Sequence, residues 1–186
     1  DADLLGRRRH RFPNLVCEKI SGYYKQVVKL SPENVVLKTD YEHLEEFDRV
    51  FIAKVFTDTP VPEWLQHVSQ PKELLIRVGR PDAGALPVEK WLEKTVGYKI
   101  NGKIPVNVGG TGFFFDRAPN LPDVIEHCMP DYHLYDNWIE EKVEQAKKKA
   151  ESEGREFHRS WFLVQFKEYL EYSIGYLTRG CFRHCG

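Results

Sequence analysis

The chain has 186 residues, 41% hydrophobic and 30% charged, which fits one soluble domain with a real core, or a domain plus an appendage, and excludes a disordered chain. Lys and Arg number 27 against 28 acids, a formal net charge of −1, so charge alone argues against a nucleic-acid partner. No apolar stretch approaches the roughly 20 residues of a membrane-spanning helix, and four cysteines are too few for a disulfide scaffold, which points to a reducing cytoplasm.

The sequence begins at Asp1 without Met, so the start reads as a cut. Residues 1–6, "DADLLG", read as the carboxyl end of a strand feeding the basic loop "GRRRHR". Val16, Ile20, Tyr23 and Val27 fall at helical spacing, and Asn14 stands where a cap is needed. "ENVVLKTD" reads as a short strand and "YEHLEEF" as a short helix or turn. "DRVFIAKVF", Asp48 to Phe56, is β-branched, aromatic and almost continuously apolar, as a strand covered on both faces would be. "EWLQHV" is a short helix, "KELLIRV" a strand, "GRPDAGALP" a loop and "VEKWLEKTV" an amphipathic helix. "GYKINGKIPVNVGG" carries Asn101-Gly102, a hairpin signal. Alternating strands and helices up to about residue 112 predict an α/β unit with a mostly parallel sheet and flanking helices.

From Thr111 onward, Pro and aromatic residues predict an irregular connection with one short helix. The next run, "NWIEEKVEQAKKKAESEGR", predicts a charged helix stopped by Gly154. Its apolar stripe is thin beyond Trp138, Ile139 and Val143, which favours a solvated arm over a dimer face. "SWFLVQFKEYLEY" suits helix or extended chain. "YSIGYLTRGC" alternates like a strand and delivers a Cys-rich loop.

Three groups of residues could carry chemistry. Cys181 and Cys185 in "CFRHCG" are two thiols four apart, with His184 between them. Two thiolates suit zinc or an iron–sulfur cluster but do not complete a site, and the alternative is a pair of bystander thiols. His127, Cys128 and His133 have zinc-ligand chemistry, but adjacent His127 and Cys128 face one ion poorly. Cys17 reads as a small core residue. Third, Asp3 and Gly6 of "DADLLG" and Gly109, Gly110 and Gly112 of "VGGTG" would line a crevice at the carboxyl ends of strands, where open α/β sheets bind ligands; the alternative is plain turns. No residue pair stands out as a catalytic acid and base.

"YSIGYLTRGCFRHCG" resembles the first barrel strand and opening loop of radical S-adenosylmethionine enzymes, whose motif is C-x3-C-x2-C. Cys181 and Cys185 match the first two cysteines, and the third would fall two residues past Gly186. The amino-terminal part is similar to the flavodoxin-like (Rossmann-like) cobalamin-binding domain that precedes the barrel in one branch of that superfamily. Of its D-x-H-x-x-G signature, Asp1 and Gly6 match, with Asp3 where the histidine would be. The S-x-L position falls on Ala53, Lys54 and Val55, and Gly109 and Gly110 match the G-G. An insertion within roughly residues 72–104 accounts for the longer gap before them.

The resemblance implies three segments: a cobalamin-binding-like unit over 1–112, a linker with the charged helix over 113–170, and the start of a truncated (β/α) barrel over 171–186. It implies a [4Fe–4S] cluster held in part by Cys181 and Cys185. The open iron of that cluster would bind S-adenosylmethionine and cleave it to a 5′-deoxyadenosyl radical, the protein supplying ligation, orientation and exclusion of water. Cobalamin is the further cofactor implied, with Asp3, Gly6, Gly109 and Gly110 as its contacts and no histidine to ligate cobalt. The substrate would be a small molecule or another partner bound by the barrel, and the fragment itself would be inactive. The competing expectation is a non-catalytic α/β binding or interaction domain with incidental cysteines.

Overall fold

The computed structural model describes residues 1–7, 12–68, 86–114 and 120–171. The expected strand "KELLIRV", most of the "GRRRHR" and "GRPDAGALP" loops, and the carboxyl-terminal strand with Cys181 and Cys185 lie outside the described residues.

The chain opens not with a strand end but with a short helix, α1 (Ala2–Gly6). The Asp1 carboxylate accepts hydrogen bonds from the Asp3 and Leu4 amides, at 3.1 and 3.2 Å, and so caps it. The next helix, α2 (Leu15–Gly22), is capped as its sequence predicts: Asn14 Oδ1 accepts from the Val16 and Cys17 amides. It runs on into a π turn over Tyr23–Val27. The expected strand "ENVVLKTD" does not form. A 3-10 turn takes Pro32–Asn34, Val35 is extended, and no strand among the described residues pairs with residues 35–40. A second 3-10 turn, Leu44–Glu46, occupies the expected short helix or turn.

The central strand is where its composition placed it, as β1 (Val50–Ala53). Short helices α3 (Glu63–Gln66) and α4 (Val88–Lys94) come next, then the hairpin of β2 (Val96–Ile100) and β3 (Ile104–Gly109). Asn101 and Gly102 both adopt positive φ, 52° and 70°, and the Lys103 amide donates to the Ile100 carbonyl, closing the turn. The sheet order is β1-β3-β2. β1 pairs parallel to β3, with Val50 opposite Val106 and Ala53 opposite Gly109, while β2 pairs antiparallel. Among the described residues the sheet is therefore mixed, with one parallel pair, in an α/β arrangement.

Both faces of the sheet are covered. Ile52, Val106 and Val108 pack with Ala2 and Leu65 on one side. On the other, Phe51 stacks on Trp91, 6.2 Å between ring centres, beside Ile20, Leu121 and Ile125. Asn107, on this second face, donates to the Leu92 carbonyl and to Thr95 Oγ1, which fixes α4 to the sheet.

Among the described residues, the expected irregular connection contains two short helices, α5 (Thr111–Phe114) and α6 (Asp123–Glu126). The charged helix is α7 (Asp136–Ser152), and Gly154 comes after it at φ +65°. It is docked rather than a solvated arm. Ile139 and Val143 are 1% and 2% exposed and pack with Leu4, Tyr135, Phe166 and Tyr169. Each contributes roughly 1.5–3 kcal/mol. The stripe is thin in count, but the rings of Tyr135, Trp138 and Tyr169 widen it. The ambiguous "SWFLVQFKEYLEY" is helical, as α8 (Arg159–Leu163), a 3-10 turn at Val164–Phe166, and α9 (Lys167–Leu170). No described helix is long and apolar enough to cross a membrane.

Candidate functional site

Parallel strands β1 and β3 end side by side, and their last residues bring the two glycine-bearing segments together. The Lys54 amide donates to the Gly109 carbonyl at 3.0 Å, and the Gly112 amide donates to the Lys54 carbonyl at 2.9 Å. Thr111 Oγ1 donates to the Val55 carbonyl at 2.8 Å. Gly110 sits at φ +100°, and a Cβ there would run into the Lys54 carbonyl. A side chain on Gly110 is thus barred twice, by backbone conformation and by space. Gly109 is different: a Cβ on it would meet nothing within 4 Å. Its Cα face is open at the rim, while its carbonyl is held by the Lys54 amide.

The other half of this edge comes from α1. Asp3 is fully buried, and both its carboxylate oxygens are engaged. Oδ2 accepts from the Val55 amide at 2.6 Å, and Oδ1 from the Phe56 amide at 3.3 Å and Thr59 Oγ1 at 2.5 Å. Gly6 lies against the same loop, where a Cβ would come within 2.6 Å of the Pro60 carbonyl and of Thr59. Arg7 closes the rim, pairing with Asp58 at 2.6 Å and lying 4.3 Å from the Phe56 ring centre.

The structure therefore gathers Asp3, Gly6, Gly109 and Gly110 around residues 54–60 at one edge. It also places Ala53-Lys54-Val55, the S-x-L position of the resemblance, between them. Asp3 acts here as an anchor: its charge is spent on the loop after β1. Thr59 and Thr111 were not singled out from sequence, because a threonine in a Pro-rich loop carries no spacing signal. The main-chain groups named at this edge are hydrogen-bonded within the protein, and the open surface is the Cα face of Gly109; the Lys54 ammonium lies 5.4 Å from the Phe113 ring centre.

The acid–base character of the molecule lies elsewhere, under α2. Tyr135 Oη accepts from the Asn14 amide at 2.9 Å and donates to Asp1 Oδ2 at 2.7 Å. Burial, followed by Cys17 nearby, holds the Tyr135 hydroxyl well above its ordinary range. Glu18 is 1% exposed. Burial, and then the charge of Asp131, push its carboxyl up to about 7. Its Oε2 and the Asn14 Nδ2 have no hydrogen-bond partner among the described residues. Burial of Asp131 works in the same upward direction, yet hydrogen bonds from Lys25 and Ser21 bring it below the ordinary carboxylate range. The Asp131 amide donates to the Glu18 carbonyl, tying α2 to the loop before α7.

Of the proposed zinc-type residues, His133 pairs with Asp136 at 2.9 Å, and Cys128 is a half-buried thiol held above its ordinary range by burial. Cys17 is also a free, half-buried thiol. No three His, Cys, Asp or Glu side chains among the described residues come together as a metal site. Cys181 and Cys185 fall outside those residues.

No family model, curated protein or solved structure matches the chain.

Proposed function

We propose that this chain is the amino-terminal part of a cytoplasmic radical S-adenosylmethionine iron–sulfur enzyme, in which a flavodoxin-like unit leads into the catalytic barrel. One observation supports the reading above the others. The residues singled out for an amino-terminal ligand edge, Asp3, Gly6, Gly109 and Gly110, are distant in sequence yet converge at the carboxyl ends of the parallel pair β1 and β3. That edge is where open α/β sheets take ligands.

In this reading Cys181 and Cys185 are two ligands of a [4Fe–4S] cluster. The cluster supplies reductive cleavage of the S-adenosylmethionine sulfonium. The α/β unit contributes a preformed rim. Gly109 leaves its Cα face open, Gly110 lets Lys54 approach, and Asp3 with Thr59 holds the loop after β1 in place. Asp3 is a poor fit for cobalt ligation, since both its oxygens are already taken. A corrinoid at this edge would be held by Gly109 and Gly110, with Asp3 already committed to the loop after β1. Substrate contacts belong to the barrel, and a small molecule remains the expected substrate.

Two measurements test the reading separately. The first is the reading frame beyond Gly186: the second residue after it should be Cys, and any other residue there sinks the radical-enzyme assignment. The second is titration of the chain with hydroxocobalamin, monitored by visible absorption. Binding that Gly109→Phe removes, without loss of fold, supports a corrinoid edge. No spectral change in either protein leaves the edge without this ligand.

A further inference from the structure

At the end of β1 the exposure of three consecutive side chains runs against their chemistry. Lys54 is 7% exposed, while the apolar Val55 and Phe56 after it are 42% and 47% exposed. A lysine is almost never buried to that degree without an acid to pair with. Places where local chemistry contradicts the fold in this way are where functional sites are expected.

Lys54 has no such acid. Its side chain leaves β1 across Gly112, where a Cβ would come within 2.5 Å of Lys54 Cγ. Its ammonium ends 5.4 Å from the Phe113 ring centre, and that ring packs with Ile52, Val106 and Val108. A ring face attracts a cation but gives no acceptor to the three N–H donors of an ammonium. Among the described residues no carboxylate forms an ion pair with Lys54, and no oxygen accepts from its ammonium. The acids of this edge are committed elsewhere. Asp3 takes the Val55 and Phe56 amides and the Thr59 hydroxyl, and Asp58 takes Arg7.

The neighbouring main chain is used up as well: the Lys54 amide and carbonyl bond to Gly109 and Gly112, and the Val55 carbonyl to Thr111. What remains for a ligand is one positive charge, next to the open Cα face of Gly109. Holding an ammonium in the interior without acceptors is costly, and a bound oxyanion removes that cost. An ammonium is a compact point charge, which suits phosphate. The planar fork that matches a carboxylate belongs to Arg7, and Asp58 already holds it.

We propose that Lys54 binds a phosphate group, free or carried by a small molecule, at the carboxyl ends of β1 and β3. The proposal rests on the ligand edge and not on the radical-enzyme or corrinoid reading, so a failed hydroxocobalamin titration leaves it standing. Gly112 has a part in the site, because a side chain there would displace the Lys54 stem.

Backbone-amide NMR of the 186-residue chain tests this, with inorganic phosphate and adenosine monophosphate as probes at constant ionic strength. Saturable shifts should centre on Lys54 and residues 109–112. Lys54→Met keeps a long stem and removes the charge. It should weaken phosphate binding at least about tenfold, the loss of one charge-assisted hydrogen bond. Lys103→Met, at an exposed lysine of the hairpin turn, should leave the affinity unchanged. Without phosphate, Lys54→Met should melt at or above the temperature of the parent, since a buried charge without a partner has gone. Adenosine monophosphate binding more tightly than inorganic phosphate makes the ligand a phosphate ester; binding no tighter makes it the free anion. Shifts that are absent, do not saturate or lie away from the edge overturn the proposal, whether or not the variant folds. So does the same phosphate affinity in parent and Lys54→Met. A phosphate-free Lys54→Met that melts several degrees lower also overturns it, because Lys54 then has a partner within the fold.

Discussion

Glu18 is a carboxyl held in the interior with one oxygen unpartnered, and its replacement by Gln gives a quantitative test of the packing under α2. Its carboxyl moves from an ordinary 4.5 to about 7 in the folded chain, chiefly through burial. The folded state therefore holds this proton more tightly than the unfolded state does, and folding favours the protonated form. Below about pH 4.5 both states are protonated and Glu18 carries no electrostatic cost. As pH rises from there through about 7 the unfolded state ionises first, and stability falls. At about 1.4 kcal/mol per pH unit, the difference amounts to about 3 kcal/mol, fully expressed about one pH unit above the folded value. Gln keeps the shape of the protonated acid and cannot ionise. Urea unfolding at pH 5 and pH 8 should show the parent chain losing about 2–3 kcal/mol more than Glu18→Gln across that interval. The two proteins should be close at pH 5, and the variant the more stable at pH 8. Parallel pH profiles for parent and variant would refute the reasoning, for the Glu18 carboxyl would then be in contact with water.

Asp3→Ala leaves the Val55 and Phe56 amides and the Thr59 hydroxyl without their acceptor; a loss of about 3–5 kcal/mol is expected in urea unfolding, with Asp3→Asn losing less. Gly110→Ala must adopt a left-handed conformation against the Lys54 carbonyl and should cost about 2 kcal/mol or more. Gly109→Ala adds a methyl group to open space in a strand and should change the unfolding free energy by less than about 1 kcal/mol. Tyr135→Phe removes the hydroxyl that joins the Asn14 amide to Asp1, and should cost about 1–3 kcal/mol by calorimetry without altering the circular dichroism of the native state.

The elements that could be read from sequence are those whose signals are local. Asn14 caps α2 through its own side chain, Asn101-Gly102 sets the hairpin turn by its own backbone, and Gly154 ends α7 by its own conformation. β1 was legible because a strand covered on both faces is apolar throughout. "DADLLG" misled because the same acidic residue that suits a strand-end loop also suits a helix cap, and Asp1 caps. "ENVVLKTD" has the composition of a strand, but strand formation needs a partner, which composition does not report. At the candidate edge Gly110 was legible as a point of close approach, whereas a Cβ on Gly109 would meet nothing within 4 Å. The role of Asp3 was not legible, because its three donors lie more than fifty residues away. The placing of Tyr135 against Asn14 was equally hidden, because the two lie 121 residues apart in the chain.

The edge at the ends of β1 and β3 is made largely of main chain. Alanine scanning across Val55 and Phe56 would leave its carbonyls and amides where they are, and would register it only as loss of fold or as silence. Insertion or deletion of a single residue in 54–60 or 109–112 would instead displace every contact at once. Such a rim depends on loop length, on Gly110 and on the Thr59 and Thr111 hydroxyls.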